Sequence, residues 1–362
     1  MFTATLAFIA YSISVVALAL ISIRARELVQ KFKAGQPDPT RSGNGKQRLR
    51  NTLYETLAHS KMLNFTGTGI AHWFVMIGFV TLLGTLVTAF VQVVNPNFAL
   101  PIIGHWVPYE VFTELIGWLT GIGIVTLIGI RQMTRLVKKN RSRFFGSTSW
   151  KAYFVEVVIL AIVFCVIALR SLEGALLGDK AKSFEFALSQ PAVNAFKDLD
   201  VATLERWIVI VAALKIIISM TWFVVIAANL TMGVAWHRFL TPFNIFFKRN
   251  VSSTPTLGAL PEMLSHGKPI NFEDPQEDDV FGIGKAADIS WKGLLDMASC
   301  TECGRCQSQC PAWHTEKPLS PKLLVMAMRD HALAKVPSDK PIVGETISPD
   351  VLWSCTTCGA CV

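Results

Sequence analysis

Two cysteine runs near the C-terminus have spacing suited to one-electron chemistry: Cys300-x2-Cys303-x2-Cys306-x3-Cys310-Pro311 and Cys355-x2-Cys358-x2-Cys361. Three thiolates at that step, trailed by a Cys-Pro, wrap cubane iron–sulfur clusters, and the trailing cysteine ligates the other cluster of the pair. The crossover groups Cys310 with Cys355, Cys358 and Cys361 as a complete 4Fe-4S site. Cys300, Cys303 and Cys306 form the other site, one ligand short within 362 residues, so the sequence reads as the front part of a longer protein. Zinc knuckles pair two C-x2-C steps and have neither the third cysteine nor the Cys-Pro. Disulfides are disfavoured because seven of the eight cysteines lie in these runs, on what the charge pattern makes a reducing, cytoplasmic side. Cys165, in an apolar stretch, reads as a small buried hydrophobe.

The elements that carry these thiols are set by composition. The chain is 51% hydrophobic and only 17% charged, too apolar for an ordinary soluble domain, and the excess lies in the first two thirds. Charge-poor runs occur at 2–23, 69–94, 115–130, 157–169 and 207–236. About 20 apolar residues suffice to cross a bilayer as a helix, so five transmembrane helices are expected. The first run has no positive residue before it and a basic cluster after it, which marks a retained anchor rather than a cleaved signal.

Arg24, Arg26, Lys31, Lys33, Arg41, Lys46, Arg48 and Arg50 follow span one, and Arg131, Arg135, Lys138, Lys139, Arg141 and Arg143 follow span three. The positive-inside rule places both segments in the cytoplasm and the N-terminus outside. The net charge of +8 is mostly this topology signal and is not read as a nucleic-acid patch. The expected architecture is an all-α membrane bundle over 1–240, a linker over 241–289 with an acidic run from Glu273 to Asp279, and a small cytoplasmic helical ferredoxin-like 4Fe-4S domain over 290–362. The acidic run reads as solvated linker, with a docking surface for a basic soluble partner as the alternative. Between the cysteine runs, Lys322 to Lys335 has the spacing of a short helix, and Ser290-Trp291 opens the segment leading to Cys300.

Two histidines stand at matched depth: His72 at the cytoplasmic start of span two and His237 at the cytoplasmic end of span five. They could ligate a haem between facing helices, or be interfacial residues beside Trp73, Trp236 and Arg238. His59 is an alternative ligand in what reads as a surface loop, His105 is external, and His266, His314 and His331 belong to the soluble part. Glu114 and Lys215 are weak candidates for a proton path, and Lys215 could equally snorkel to the surface.

Five spans with a cytoplasmic iron–sulfur module resemble the cytochrome b subunit of respiratory nitrate reductase and the membrane subunit of heterodisulfide reductase. The stretches 270–275, Cys300-Thr301-Glu302-Cys303-Gly304-Arg305-Cys306 through Trp313, and Trp353-Ser354-Cys355 through Cys361 look more like the membrane-bound iron–sulfur oxidoreductases of actinobacteria. That resemblance implies a bacterial inner-membrane protein embedded in lipid, passing electrons from electron-transfer flavoprotein to menaquinone in fatty-acid oxidation. It also implies CCG-type modules beyond Val362. In the nitrate-reductase relatives the inner haem b takes ligands matching His72 and His237, whereas at the outer haem's positions Leu82 and Ser219 stand here. One inner haem b is therefore expected and no outer one. The competing expectations are a heterodisulfide-type disulfide-reducing enzyme and a non-catalytic membrane anchor of a larger redox complex.

Overall fold

The computed structural model describes residues 2–104, 106–138, 142–178, 183–249, 262–334, 340–359 and 361. His105, Lys139, Arg141 and Lys335 lie outside them. The described chain is mostly helical: α1 Phe2–Lys33, α2 Gly45–Leu57, α3 Thr66–Thr81, α4 Leu83–Gln92, α5 Val107–Lys138, α6 Ser149–Leu177, α7 Gln190–Phe196, α8 Val201–Ala228, α9 Gly233–Phe246, α10 Trp291–Ala298, α11 Arg305–Gln309, α12 Pro311–His314, α13 Pro321–Ala332 and α14 Pro349–Trp353. Four helices, α1, α5, α6 and α8, are long and apolar enough to cross a membrane, and α3 with α4 makes a fifth if that pair, bent by 41°, counts as one span. The chain divides into two compact units, Met1–Ser22 with Lys61–Gln132 and Ala152–Ala227, and Ile23–Ser60 with Met133–Lys151 and Ala228–Val362.

In the first unit small side chains let helices approach closely, as membrane bundles require. Ala7, Ala10, Ala17, Ala89, Ala212 and Ala213 are buried beside Ile208 and Ile216. A Cβ on Gly78 of α3 would stand 2.0 Å from Thr120 Oγ1 of α5, and one on Gly123 of α5 would stand 2.7 Å from Ala71 O. The expected single second span is interrupted at Leu82. Around it Thr81 and Thr85 hydroxyls donate back to the carbonyls of Ile77 and Leu82, at 2.9 and 2.7 Å, the local competition that bends helices.

In the second unit α9 packs against α2 and α10, and α10 against α13. The expected fifth span ran to Trp236, but α8 stops at Ala228 and α9 begins at Gly233. The break accompanies a close approach: a Cβ on Gly233 would lie 2.0 Å from the carbonyl oxygen of Cys300. Arg48, counted above as a topology charge, is 3% exposed and donates to the carbonyls of Phe246 and Lys248 at the end of α9, at 3.0 and 2.8 Å. Ser290 caps α10 by accepting from Gly293 N, and Ser320 caps α13 by accepting from Leu323 N. In the linker Leu264–Ser265 and Lys268–Pro269 pair antiparallel across His266 and Gly267, both at positive φ, as a two-residue hairpin turn requires. Residues 271–278, which include most of the acidic run, are exposed.

Candidate iron–sulfur site

Both cysteine runs fold into the same local shape. Glu302 and Gly304 flank Cys303 with φ of 58° and 70°, and Thr357 and Gly359 flank Cys358 with φ of 52° and 72°. A left-handed residue on each side of the middle cysteine coils the loop, the conformation only glycine adopts without cost. Cys310 is extended and is followed by Pro311 at the first position of α12, where a missing N–H costs nothing. It is 8% exposed, clustered with Ala312, Trp313 and Leu319. Cys300, Cys303 and Cys306 are half-buried, whereas Cys355, Cys358 and Cys361 are exposed.

Electrostatics sorts the thiols. Burial, then the charges of Cys303 and Cys300, pushes the Cys306 thiol up to about 11, with Cys361 as the last contribution. Burial, then the charges of Cys355, Cys310 and Cys358, raises Cys361. Cys310 is thus an electrostatic neighbour of the second run. Burial alone would raise Cys303, but the charge of Arg305, its backbone N–H and the Thr301 hydroxyl hold it below the ordinary thiol value. Such a group is readily ionised, and metal binding needs the thiolate. Among the described residues no three Cys, His, Asp or Glu side chains converge as a single-ion site. A cubane takes one thiolate at each of four separate irons, so its ligands stand farther apart than those of one ion, and a wrapped, all-thiol donor set fits it.

The first run rests on the segment before α6. Lys322, 1% exposed, donates to Arg143 O at 3.0 Å, Phe145 O at 2.6 Å and Ser147 Oγ at 2.7 Å. Burial lowers its amine to about 8 against the opposing charges of Glu302 and the three nearby cysteines. Gln307 donates to Ser142 O at 3.1 Å and accepts from Ser320 Oγ at 2.6 Å. Glu302 accepts from Thr148 N at 2.7 Å and its carbonyl from Ser147 Oγ at 3.0 Å. A Cβ on Gly304 would stand 1.9 Å from Arg143 O. The positive charges after span three, Arg143 among them, carry only a topology signal in sequence, and nothing there marks this supporting role. Its only sequence trace is glycine at matching places, Gly304 and Gly359.

His72 lies on α3, half-buried, in the first unit. His237 lies on α9 in the second unit, with Nδ1 2.8 Å from Val234 O, the kind of backbone contact that orients ligating histidines. His59 is not on a surface: it is 9% exposed, with Nδ1 3.0 Å from Thr56 O. Glu114 is 4% exposed and accepts from Ser189 N at 2.6 Å. Lys215 does not snorkel. It is 1% exposed and donates to Thr85 Oγ1 at 2.7 Å.

Apolar helices long enough to span a bilayer and two wrapped cysteine loops define a membrane-associated iron–sulfur protein of the electron-transport class. Residues 299–362, which hold all seven cysteines of the two runs, match the 4Fe-4S dicluster domain family. The chain is similar to an EtfAB:quinone oxidoreductase of Syntrophomonas wolfei, at 22% identity over 87% of this chain and 46% of that one. It is also similar to a probable membrane-anchored ferredoxin of Chromohalobacter salexigens, at 30% identity over 37% of this chain and 24% of that one. A probable iron-sulfur-binding oxidoreductase, FadF, of Bacillus subtilis is 30% identical over 34% of this chain and 22% of its own. The chain thus spans under half the length of these curated relatives. No solved structure matches it.

Proposed function

We propose that the chain is the membrane and dicluster part of an oxidoreductase that carries electrons from a soluble cytoplasmic donor, electron-transfer flavoprotein, to menaquinone. The observation that carries this reading is the pair of matching cysteine loops on a chain whose apolar helices reach bilayer length. The name of the Syntrophomonas relative supports the donor and the quinone. Cys310, Cys355, Cys358 and Cys361 would hold one 4Fe-4S cluster, and Cys300, Cys303 and Cys306 three corners of the other. Bound clusters would supply one-electron relay between a two-electron flavin and a two-electron quinone.

The chain's own residues set the terms of that relay. Arg305 and Arg329 bring positive charge to the first run, with Arg305 acting directly on Cys303 and Arg329 on Cys300. Such charge favours an anionic centre and raises its potential. The second run is exposed, as is Trp353 beside it, at 87%. An inner haem b on His72 and His237 rests on the sequence resemblance. Overall the acceptor takes two electrons and two protons to become the quinol.

The test is anaerobic mixing of the reconstituted protein with reduced electron-transfer flavoprotein, following the broad iron–sulfur absorption. Bleaching is expected. Intact clusters that stay oxidised would overturn the donor assignment. A second reading, a one-electron carrier anchored to the membrane with no quinone chemistry of its own, is favoured by the name of the Chromohalobacter relative. It predicts cluster reduction without quinol, and no haem band in the reduced-minus-oxidised spectrum.

A further inference from the structure

The first unit encloses a cavity of about 270 Å³ whose polar groups the electron relay above does not use. Its charged lining is balanced: Lys215 and Arg170 against Glu110 and Glu173. Lys215 spends one of its three protons on Thr85 Oγ1. Arg170, 9% exposed, donates from one terminal nitrogen to Glu185 O at 2.9 Å. Its other terminal nitrogen stands 3.9 Å from Glu110 and 3.8 Å from Glu173, beyond hydrogen-bond distance. Arg170 Nε and the Tyr109 hydroxyl are buried with no hydrogen-bond partner. Gln92, by contrast, is satisfied by Glu173 at 2.6 Å. The remaining wall mixes apolar side chains, Val166, Leu169 and Leu176 among them, with the polar Thr88, Asn97 and Thr113.

Tyr109 and Arg170, which carry these two unpartnered buried donors, both line the one cavity, and an acceptor bound there and met by a small side-chain shift would satisfy them. The balanced charge argues against an anion or a cation. Partly apolar walls, unmet N–H and O–H donors and charge balance together suit a neutral ring bearing carbonyl oxygens. We propose that this cavity binds the headgroup of a membrane quinone, with Lys215, Arg170 and Tyr109 donating to its carbonyl oxygens. Glu110 and Glu173, in the same cavity, stand where protons for the reduced carbonyls are needed. The proposal rests on the quinone reading above and gives it a place.

The test uses the full chain in liposomes and a photoreactive azidonaphthoquinone, with cross-linked peptides mapped by mass spectrometry. Labelling is expected on segments 85–113 and 166–177 and around Lys215. Labelling elsewhere, or none, overturns the site. Lys215→Met, which removes a donor, should raise KM for a short-chain naphthoquinone by about tenfold, the worth of one lost hydrogen bond, and Thr88→Phe, which fills the cavity and leaves the charges alone, should raise it by at least as much through steric exclusion. The reduced iron–sulfur EPR signal should be unchanged. Wild-type KM in both variants would overturn the site while the oxidoreductase reading stands. Labelling of the cavity in a protein that makes no quinol would keep the site and sink that reading.

Discussion

Arg329 of α13 and Glu302, the residue before Cys303, lie 3.0 Å apart as an ion pair whose guanidinium is fully enclosed and whose carboxylate is 9% exposed. The pair ties the turn of the first cysteine loop to the helix between the two runs. Removing one partner strands a buried charge, at a cost of about 3–5 kcal/mol. Arg329→Met should therefore lower the unfolding midpoint and the iron bound by the first run. Arg329→Met with Glu302→Gln should recover part of the loss, as differential scanning fluorimetry and iron analysis would show. Equal losses in the single and double variants would count against the pair.

The two loop glycines should differ in tolerance. Gly304 has φ of 70°, and a Cβ there would meet Arg143 O at 1.9 Å. Gly359 has φ of 72°. Gly359→Ala should cost at least the left-handed penalty, about 1–2 kcal/mol. Gly304→Ala adds a backbone collision and should abolish ordered folding of the first loop, read as loss of amide exchange protection in α11.

Lys322 gives a pH signature in the iron-free chain. Its folded value, about 8, lies below the ordinary 10.5. Between those values the unfolded chain binds more protons than the folded one, so stability rises with pH across that window. Measured by hydrogen exchange in α13, the wild type should gain protection relative to Lys322→Met from pH 8 to 10. A constant difference would contradict the buried amine.

The ligand crossover is tested by comparing Cys310→Ser with Cys306→Ser. Loss of the EPR signal of the cluster on Cys355, Cys358 and Cys361 is expected in the first variant and not in the second. The reverse pattern would reassign Cys310.

How much the sequence showed depended on whether a feature was local. Cysteine spacing constrains wrapping directly, so Cys300 through Cys361 could be read as a unit, and apolar length made the long helices legible. The α8–α9 break was not, because Asn229 to Met232 does not interrupt the apolar run strongly and the break accompanies contact between Gly233 and the Cys300 carbonyl. Arg48 read as a topology charge and Lys322 only as the start of a short helix, because nothing near them in sequence reveals the carbonyls they meet. Arg170 and Glu173 seemed to follow a finished span, yet α6 runs on to Leu177 and carries both into a cavity. The left-handed turns at Glu302 and Thr357 left no trace, since neither residue favours that conformation.

The central claim is electron delivery from a flavoprotein to a quinone. Its most direct measurement is anaerobic quinol formation by the chain in liposomes, supplied with reduced electron-transfer flavoprotein and a menaquinone analogue. One quinol should form for every two electrons delivered, and none with Cys310→Ser. Fully reduced iron–sulfur signals with no quinol formed would contradict it.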